Sequence, residues 1–214
     1  MSIYFNVSDM EFNGYYAKDA MKEVVDGLNC DTLKTIEIVD YNMVDNNHDN
    51  VEWVNTINDM DVIVPGDIKL LNMAGVEDRL MIREVEKSSF MKMFLRYMGK
   101  YEKDIFIIAL NQDELDLAKA RVVEYVDENK VEGMSVDELT GRSEDEIINE
   151  INALEPDCIL SVLPSAKQEE FIRSNKAYIN AGIWLGCGYV FGSINTSSIK
   201  RNLLSFFKKD KNNM

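Results

Sequence analysis

PDCILSVLPSAKQEEFIRSN, residues Pro156 to Asn175, runs from a short apolar segment through a Pro-Ser turn into a polar, periodic one. That is the grammar of a β-strand that turns directly into a helix. In α/β sheets the carboxyl end of a strand, where the next helix begins, is where ligands bind. The free N–H groups and the positive end of the helix dipole point there. On this reading Lys167, Gln168 and Glu169 fall on the first turn of the helix, at the rim of a site. Ser165 and Gln168 also fit the S-x-x-Q pattern of a capping box, in which Gln168 would only satisfy a backbone N–H. Both uses stay open on sequence alone.

Outward from this unit, five further segments read as strands. They are Thr35–Val39 (TIEIV), Asp61–Val64 (DVIV), Ile105–Leu110 (IFIIAL), Lys130–Met134 and Ala181–Gly186 (AGIWLG), beside Cys158–Leu163 (CILSVL). IFIIAL is apolar throughout, as expected of a strand covered on both faces. Helical spacing recurs between strands, at Leu115, Ala118, Val122 and Val126, and at Ile147, Ile148, Ile151 and Leu154. Ser143 and Glu146 form a capping-box pattern before the second of these, and Pro156 ends it. Strand–helix alternation at this spacing predicts an α/β, Rossmann-like fold, with a mostly parallel sheet and helices on both faces.

Composition bounds the rest. At 214 residues the chain makes about one large domain that buries roughly 70% of its unfolded surface. Apolar residues make up 46% and charged residues 29%, ordinary for a soluble globular protein. The net charge of −15 excludes nucleic acid as an expected partner, because phosphate binding needs a basic face. Cys30, Cys158 and Cys187 are far apart and odd in number, which suits reduced cytosolic thiols. Met1 to Met10 lacks the apolar core of a secretion signal. No apolar run approaches the ~20 residues that span a bilayer. Only three prolines are present and there is no Gly/Ser tract, so no linker shows; residues Lys208 to Met214 read as a polar tail.

Several motifs carry a chemical reading and a plainer one. In Val64-Pro65-Gly66-Asp67 a strand ends in a turn, and Asp67 lies where a carboxylate could take a proton from a substrate hydroxyl. It would equally cap a helix Ile68–Ala74. Asp40 and Asn42 follow the strand TIEIV in the same way, or form an Asx turn. Gly186, Gly188 and Gly192 punctuate IWLGCGYVFG, allowing close backbone approach to a ligand or a tight turn. The run does not open a helix and is no dinucleotide fingerprint. Asp59-Met60-Asp61 looks like a metal motif, but it precedes a strand instead of following one, so no metal is expected. His48 is the lone histidine, and no catalytic triad can be assembled around it. Two basic helices, Glu86–Met98 and Ile199–Lys211, read either as core-facing or as lying on an anionic membrane surface.

In order, these pieces resemble the WecG/TagA/CpsF glycosyltransferase family. Asp40-Tyr41-Asn42 stands where that family carries Thr-x-Asn. DVIVPGD stands at its Pro-Asp-Gly turn, IINEINALEPDCILSVLPSAKQEEFI at its Lys-Gln-Glu segment, and IWLGCGYVF at its glycine strand. The resemblance covers roughly Thr35 to Phe191. It also has departures. Pro-Asp-Gly is inverted to Pro65-Gly66-Asp67, and a threonine is replaced by Asp40. Gly192 lies near the place of an aspartate, and a short basic helix replaces an arginine-rich segment.

The resemblance implies an inverting, metal-independent and cofactor-free transfer of an N-acetylmannosamine-like sugar from a UDP-sugar to a lipid-diphosphate-linked acceptor, in cell-surface polysaccharide or teichoic acid synthesis. It makes Asp67 the general base, a role worth ~10²–10⁴-fold. Asp40 and Asn42 would bind the acceptor. Lys167, Gln168, Glu169, Gly186 and Gly188 would hold the donor, with Arg83 as a further diphosphate ligand. It implies a glycosyltransferase-like domain over residues 1–195 and a basic C-terminal helix and tail over 196–214. The protein would be cytoplasmic, with peripheral contact to the inner membrane face, where each basic residue adds ~1 kcal/mol. A homo-oligomer is left open. The altered motifs also fit a second expectation, a non-catalytic sugar-nucleotide-binding or partner subunit of such a transferase.

Overall fold

The computed structural model describes residues 1–136 and 141–188. Eight strands form one sheet in the order β1-β2-β4-β3-β8-β7-β5-β6. The strands are β1 (Ser2–Val7), β2 (Met10–Tyr15), β3 (Lys34–Val39), β4 (Val62–Pro65), β5 (Ile105–Ala109), β6 (Val131–Ser135), β7 (Cys158–Ser161) and β8 (Ile183–Gly186). Among the described residues only the β1–β2 pair is antiparallel. The helices are α1 (Ala17–Gly27), α2 (Tyr41–Asn47), α3 (Val51–Asn58), α4 (Ile68–Met73), α5 (Arg79–Glu86), α6 (Ser89–Lys100), α7 (Gln112–Val122), α8 (Glu144–Leu154) and α9 (Ser165–Asn175).

The two faces of the sheet follow from strand periodicity, since successive side chains point to opposite sides. Ile105, Ile107 and Ala109 of β5 pack with α1, α6 and α7, whereas Phe106 and Ile108 pack with α8 and α9. Ile36 and Ile38 of β3 join the first layer, while Val39 joins a third cluster with Met43, Val44 and Trp53. Helices therefore cover both faces, as expected of a parallel sheet. Three aspartates stand immediately before strands and staple the amino edge. Asp61 accepts from the Thr35 N–H and hydroxyl, both at 2.8 Å. Asp157 accepts from Lys103 Nζ and the Asp104 N–H, both at 2.8 Å. Lys130 reaches Asp104 at 3.1 Å.

The six expected strands are present with shifts of a residue or more at their ends, and the Ser143–Glu146 capping box forms. Other expectations are corrected. The β1–β2 hairpin was not foreseen, although Phe5, Val7, Met10 and Phe12 alternate inward across a turn whose Ser8 and Asp9 take φ of 50° and 62°. Glu86–Met98 is not one helix: α5 stops at Glu86, Ser88 turns left-handed, and α6 starts anew. Phe90 and Phe94 are buried against α1, so α6 is core-facing rather than membrane-facing through its aromatic side. The helix after β5 ends at Val122, short of Val126, and Leu154 of α8 is 49% exposed. The basic segment Ile199–Lys211, the tail Lys208 to Met214, Gly192 and the 195/196 boundary lie outside the described residues. Among the described residues no helix is long and apolar enough to cross a membrane.

Candidate active site

Strands β4, β3, β8 and β7 are consecutive in the sheet and parallel, so their carboxyl ends open on one edge. Asp67, Asp40, Gly188 and the Pro164–Lys167 turn each follow one of these strands. The ladder pairs Val39 with Pro65, and the Gly66 N–H donates to Val39 O at 2.7 Å. This brings the two aspartates together. Asp67 Oδ1 accepts from the Leu70 N–H at 2.8 Å and from the Tyr41 N–H at 3.3 Å. Asp40 Oδ1 accepts from the Met43 N–H at 2.9 Å. Each therefore caps a helix, α4 and α2 respectively, with one oxygen, and Asp67 also bridges to the next strand's helix. Capping and a chemical role are compatible, because a carboxylate has a second oxygen.

Burial pushes the Asp40 carboxyl up from its ordinary value, and the charge of Asp67 adds to this. The Met43 N–H and Lys69 act in the opposite direction. Lys69, which the sequence reasoning passed over, is exposed on the first turn of α4 with its ammonium 3.9 Å from the centroid of the Tyr41 ring. It is a cation at this mouth. The signal lay two residues beyond Asp67, on the same turn. Asn42 is exposed in the first turn of α2. Gly188 adopts φ +42°, and a Cβ there would lie 4.0 Å from Met43 Sδ and 3.8 Å from Leu163 O. The left-handed turn, rather than crowding, therefore favours glycine.

Gln168 and Glu169 are not at the rim. They are 0% and 2% exposed, directed into the protein behind the first turn of α9. The Gln168 amide donates to Glu37 Oε1 of β3 at 2.6 Å. Ser165 donates to Glu169 Oε2 at 3.1 Å and receives the Trp53 indole N–H at 2.8 Å. The expected S-x-x-Q capping box is absent because the glutamine side chain is drawn to Glu37 instead, and Pro164 occupies the cap position with no side-chain hydrogen bond. Lys167 is exposed on the outer side of the same turn.

Gly186 is corrected as well. The space beside its Cα is filled from within: a Cβ would overlap Glu37 Oε2 and come within 2.6 Å of Gln168 Nε2. Its lack of a side chain accommodates the buried acid. Glu37 was missed, though a lone glutamate inside the apolar strand TIEIV was the available signal. Arg83 is exposed in the last turn of α5, and among the described residues no contact ties its guanidinium to the Asp40–Asp67 mouth.

Burial pushes both the Cys158 and Cys187 thiols well up, which suits inert core residues rather than nucleophiles. His48 caps the end of α2 through its own backbone carbonyl neighbours. Among the described residues no group of three or more His, Cys, Asp and Glu side chains could hold a metal ion.

Comparison with known proteins gives one finding. The model of the Glycosyl transferase WecG/TagA/CpsF family matches residues 5–196, most of the chain and every element of the mouth. No curated protein matches.

Proposed function

The chain belongs to this glycosyltransferase family, and on that premise we propose that it transfers an N-acetylhexosamine-type sugar from a UDP-sugar to the hydroxyl of a lipid-linked acceptor sugar. The observation that carries the reading is the Asp40–Asp67 pair at adjacent strand ends, joined through the Tyr41 N–H.

In this mechanism Asp67 is the general base. Its Oδ1 is held by two backbone N–H groups, which leaves Oδ2 for the acceptor. Oδ2 takes the proton from the acceptor hydroxyl as the oxygen attacks the anomeric carbon and the UDP leaves from the opposite face. A single displacement inverts the anomeric configuration and needs no covalent intermediate. Asp40 and Asn42 hydrogen-bond the acceptor sugar. The first turn of α9 faces the departing diphosphate, where helix geometry leaves N–H groups without intrahelical acceptors and the dipole favours an anion. Lys167 on that turn and Lys69 across the mouth add positive charge. Preorganised donors of this kind act on charge as it develops. Gln168 and Glu169, being interior, support this turn instead of touching the donor.

The double duty of Asp67 as helix cap favours a second reading, a member that binds the sugar nucleotide without turnover. Asp67→Asn separates the two. Asparagine caps a helix as well as aspartate, so the fold and UDP binding by calorimetry are expected to persist. If Asp67 is the base, transfer falls by ~10²–10⁴-fold. Unchanged transfer would remove Asp67 from the chemistry, and absence of UDP binding by the wild-type chain would overturn the donor assignment.

A further inference from the structure

Beneath the mouth lies a buried polar cluster that the transfer reaction does not use: Glu37 of β3, Gln168, Glu169 and Ser165 of α9, and Trp53 of α3. Glu37 is 0% exposed in the middle of the sheet. It receives one hydrogen bond, from the Gln168 amide. Its second oxygen, Gln168 Oε1 and Glu169 Oε1 are all buried without a hydrogen-bond partner. The cluster is therefore short of donors. Its side-chain donors, the Gln168 amide, the Ser165 hydroxyl and the Trp53 indole, are already committed, and the Glu169 backbone N–H acts on the Glu169 carboxyl alone. A buried acceptor without a donor leaves its desolvation uncompensated. A carboxyl that keeps its proton converts one acceptor oxygen into a donor and removes a buried charge at once.

We infer that Glu37 is a positioning residue that works as the neutral acid. Holding its proton, it ties β3, the Gly186 strand end and the first turn of α9 into one floor beneath the mouth. When the proton leaves to solvent, that floor loosens.

The surroundings agree from every side. The charged neighbours acting on Glu37 are Glu169 from α9 and Asp40 from the end of its own strand, both acids. β8 presents Gly186, which offers no side chain, and then Cys187, whose thiol is itself pushed up by burial first and by Glu37 next. α3 contributes the Trp53 indole, which donates to Ser165 and also acts on the Glu169 carboxyl, lowering it against the burial. Burial raises the Glu37 carboxyl well above the ordinary carboxylate range, and the Glu169 charge adds to it. Burial likewise raises Glu169, to about 7.

The sign of the pH dependence follows. A carboxyl raised in the folded state binds more protons there than in the unfolded chain. Its contribution is therefore complete at acid pH and is lost as pH rises from the ordinary carboxylate range through the raised value in the fold.

The test is thermal melting of the whole chain without ligand, from about pH 5 to about pH 8. It is run on the wild type, on Glu37→Gln, which keeps the shape without the titration, and on Glu169→Gln. The wild type is expected to lose Tm across this range, by about 2–4 °C for each 1 kcal/mol. Glu37→Gln is expected to flatten the loss, and Glu169→Gln to reduce it. Where a variant does not fold, the infrared C=O band of a buried carboxylic acid in the wild type at neutral pH gives the same answer. A wild-type Tm independent of pH, a pH slope unchanged in Glu37→Gln, or no such band each overturns the assignment. UDP affinity measured at both ends of the range reports on the mouth: it weakens with rising pH in the wild type and not in Glu37→Gln. This inference rests on the donor reading only for that last arm. A chain that binds no UDP at any pH refutes the donor reading while the melting curves still judge Glu37.

Discussion

The two edges of the sheet treat acidic side chains in opposite ways. At the amino edge, Asp61, Asp104 and Asp157 each stand one residue before a strand, and lysines attend them: Lys176 at 3.9 Å, Lys130 at 3.1 Å and Lys103 at 2.8 Å. Two of the three also accept backbone N–H groups, from Thr35 of β3 and from Asp104 just before β5. These charges are compensated, and their role is to hold strands in register. At the carboxyl edge, Glu37, Asp40 and Glu169 are raised in proton affinity by burial and, for Glu37 and Asp40, by one another's neighbours of like charge. Acids compensated on one edge and crowded on the other support the proposed placement of the chemistry at the carboxyl edge.

Substitutions can break this contrast, beginning with the largest effect. Asp67→Asn at the carboxyl edge is expected to lower transfer by ~10²–10⁴-fold in a steady-state assay while leaving Tm within a degree or so, because the cap survives. Gly186→Ala is expected to cost about 1–3 kcal/mol in urea unfolding, since the added methyl overlaps the buried Glu37 carboxyl and crowds the Gln168 amide bonded to it. Combining it with Glu37→Ala should recover much of that loss, and strict additivity of the two would show that the overlap is not the cause. Asp157→Ala at the amino edge is expected to cost about 1–2 kcal/mol through its two hydrogen bonds, with UDP affinity unchanged. A change in UDP affinity there would erase the distinction between the edges. Arg142→Ala, which removes the exposed ion pair to Glu150 at 2.7 Å, should stay within about 0.5 kcal/mol by the same unfolding assay.

Much of the architecture could be read from residue order because the parallel strands are short apolar runs between helices with clear caps. IFIIAL and CILSVL announce themselves, as does Ser143 with Glu146. The hairpin β1–β2 escaped because half of its residues are polar and its turn is Ser8-Asp9 rather than a glycine pair, although the inward alternation was present. The site was legible as a set of strand ends but not in the direction of its side chains. Nothing local tells Gln168 to turn inward; its partner, Glu37, is 131 positions away. A comparably long separation from Glu37 hid the reason for Gly186. In both cases the deciding neighbour belongs to a different strand, and a reading along the chain weighs only what is near in sequence. The strand-end positions of Asp40 and Asp67, by contrast, were legible because each follows closely on its own strand, where a turn residue and a reactive residue share one grammar.

Positions 37 and 186 face each other across the β3–β8 ladder, and the carboxyl of one fills the volume the other gives up. Neither can drift alone. In homologous chains, a side chain appearing at the second position should coincide with a shorter or differently directed residue at the first, so the pair forms a single heritable unit whose trace would be sought in correlated change rather than in invariance.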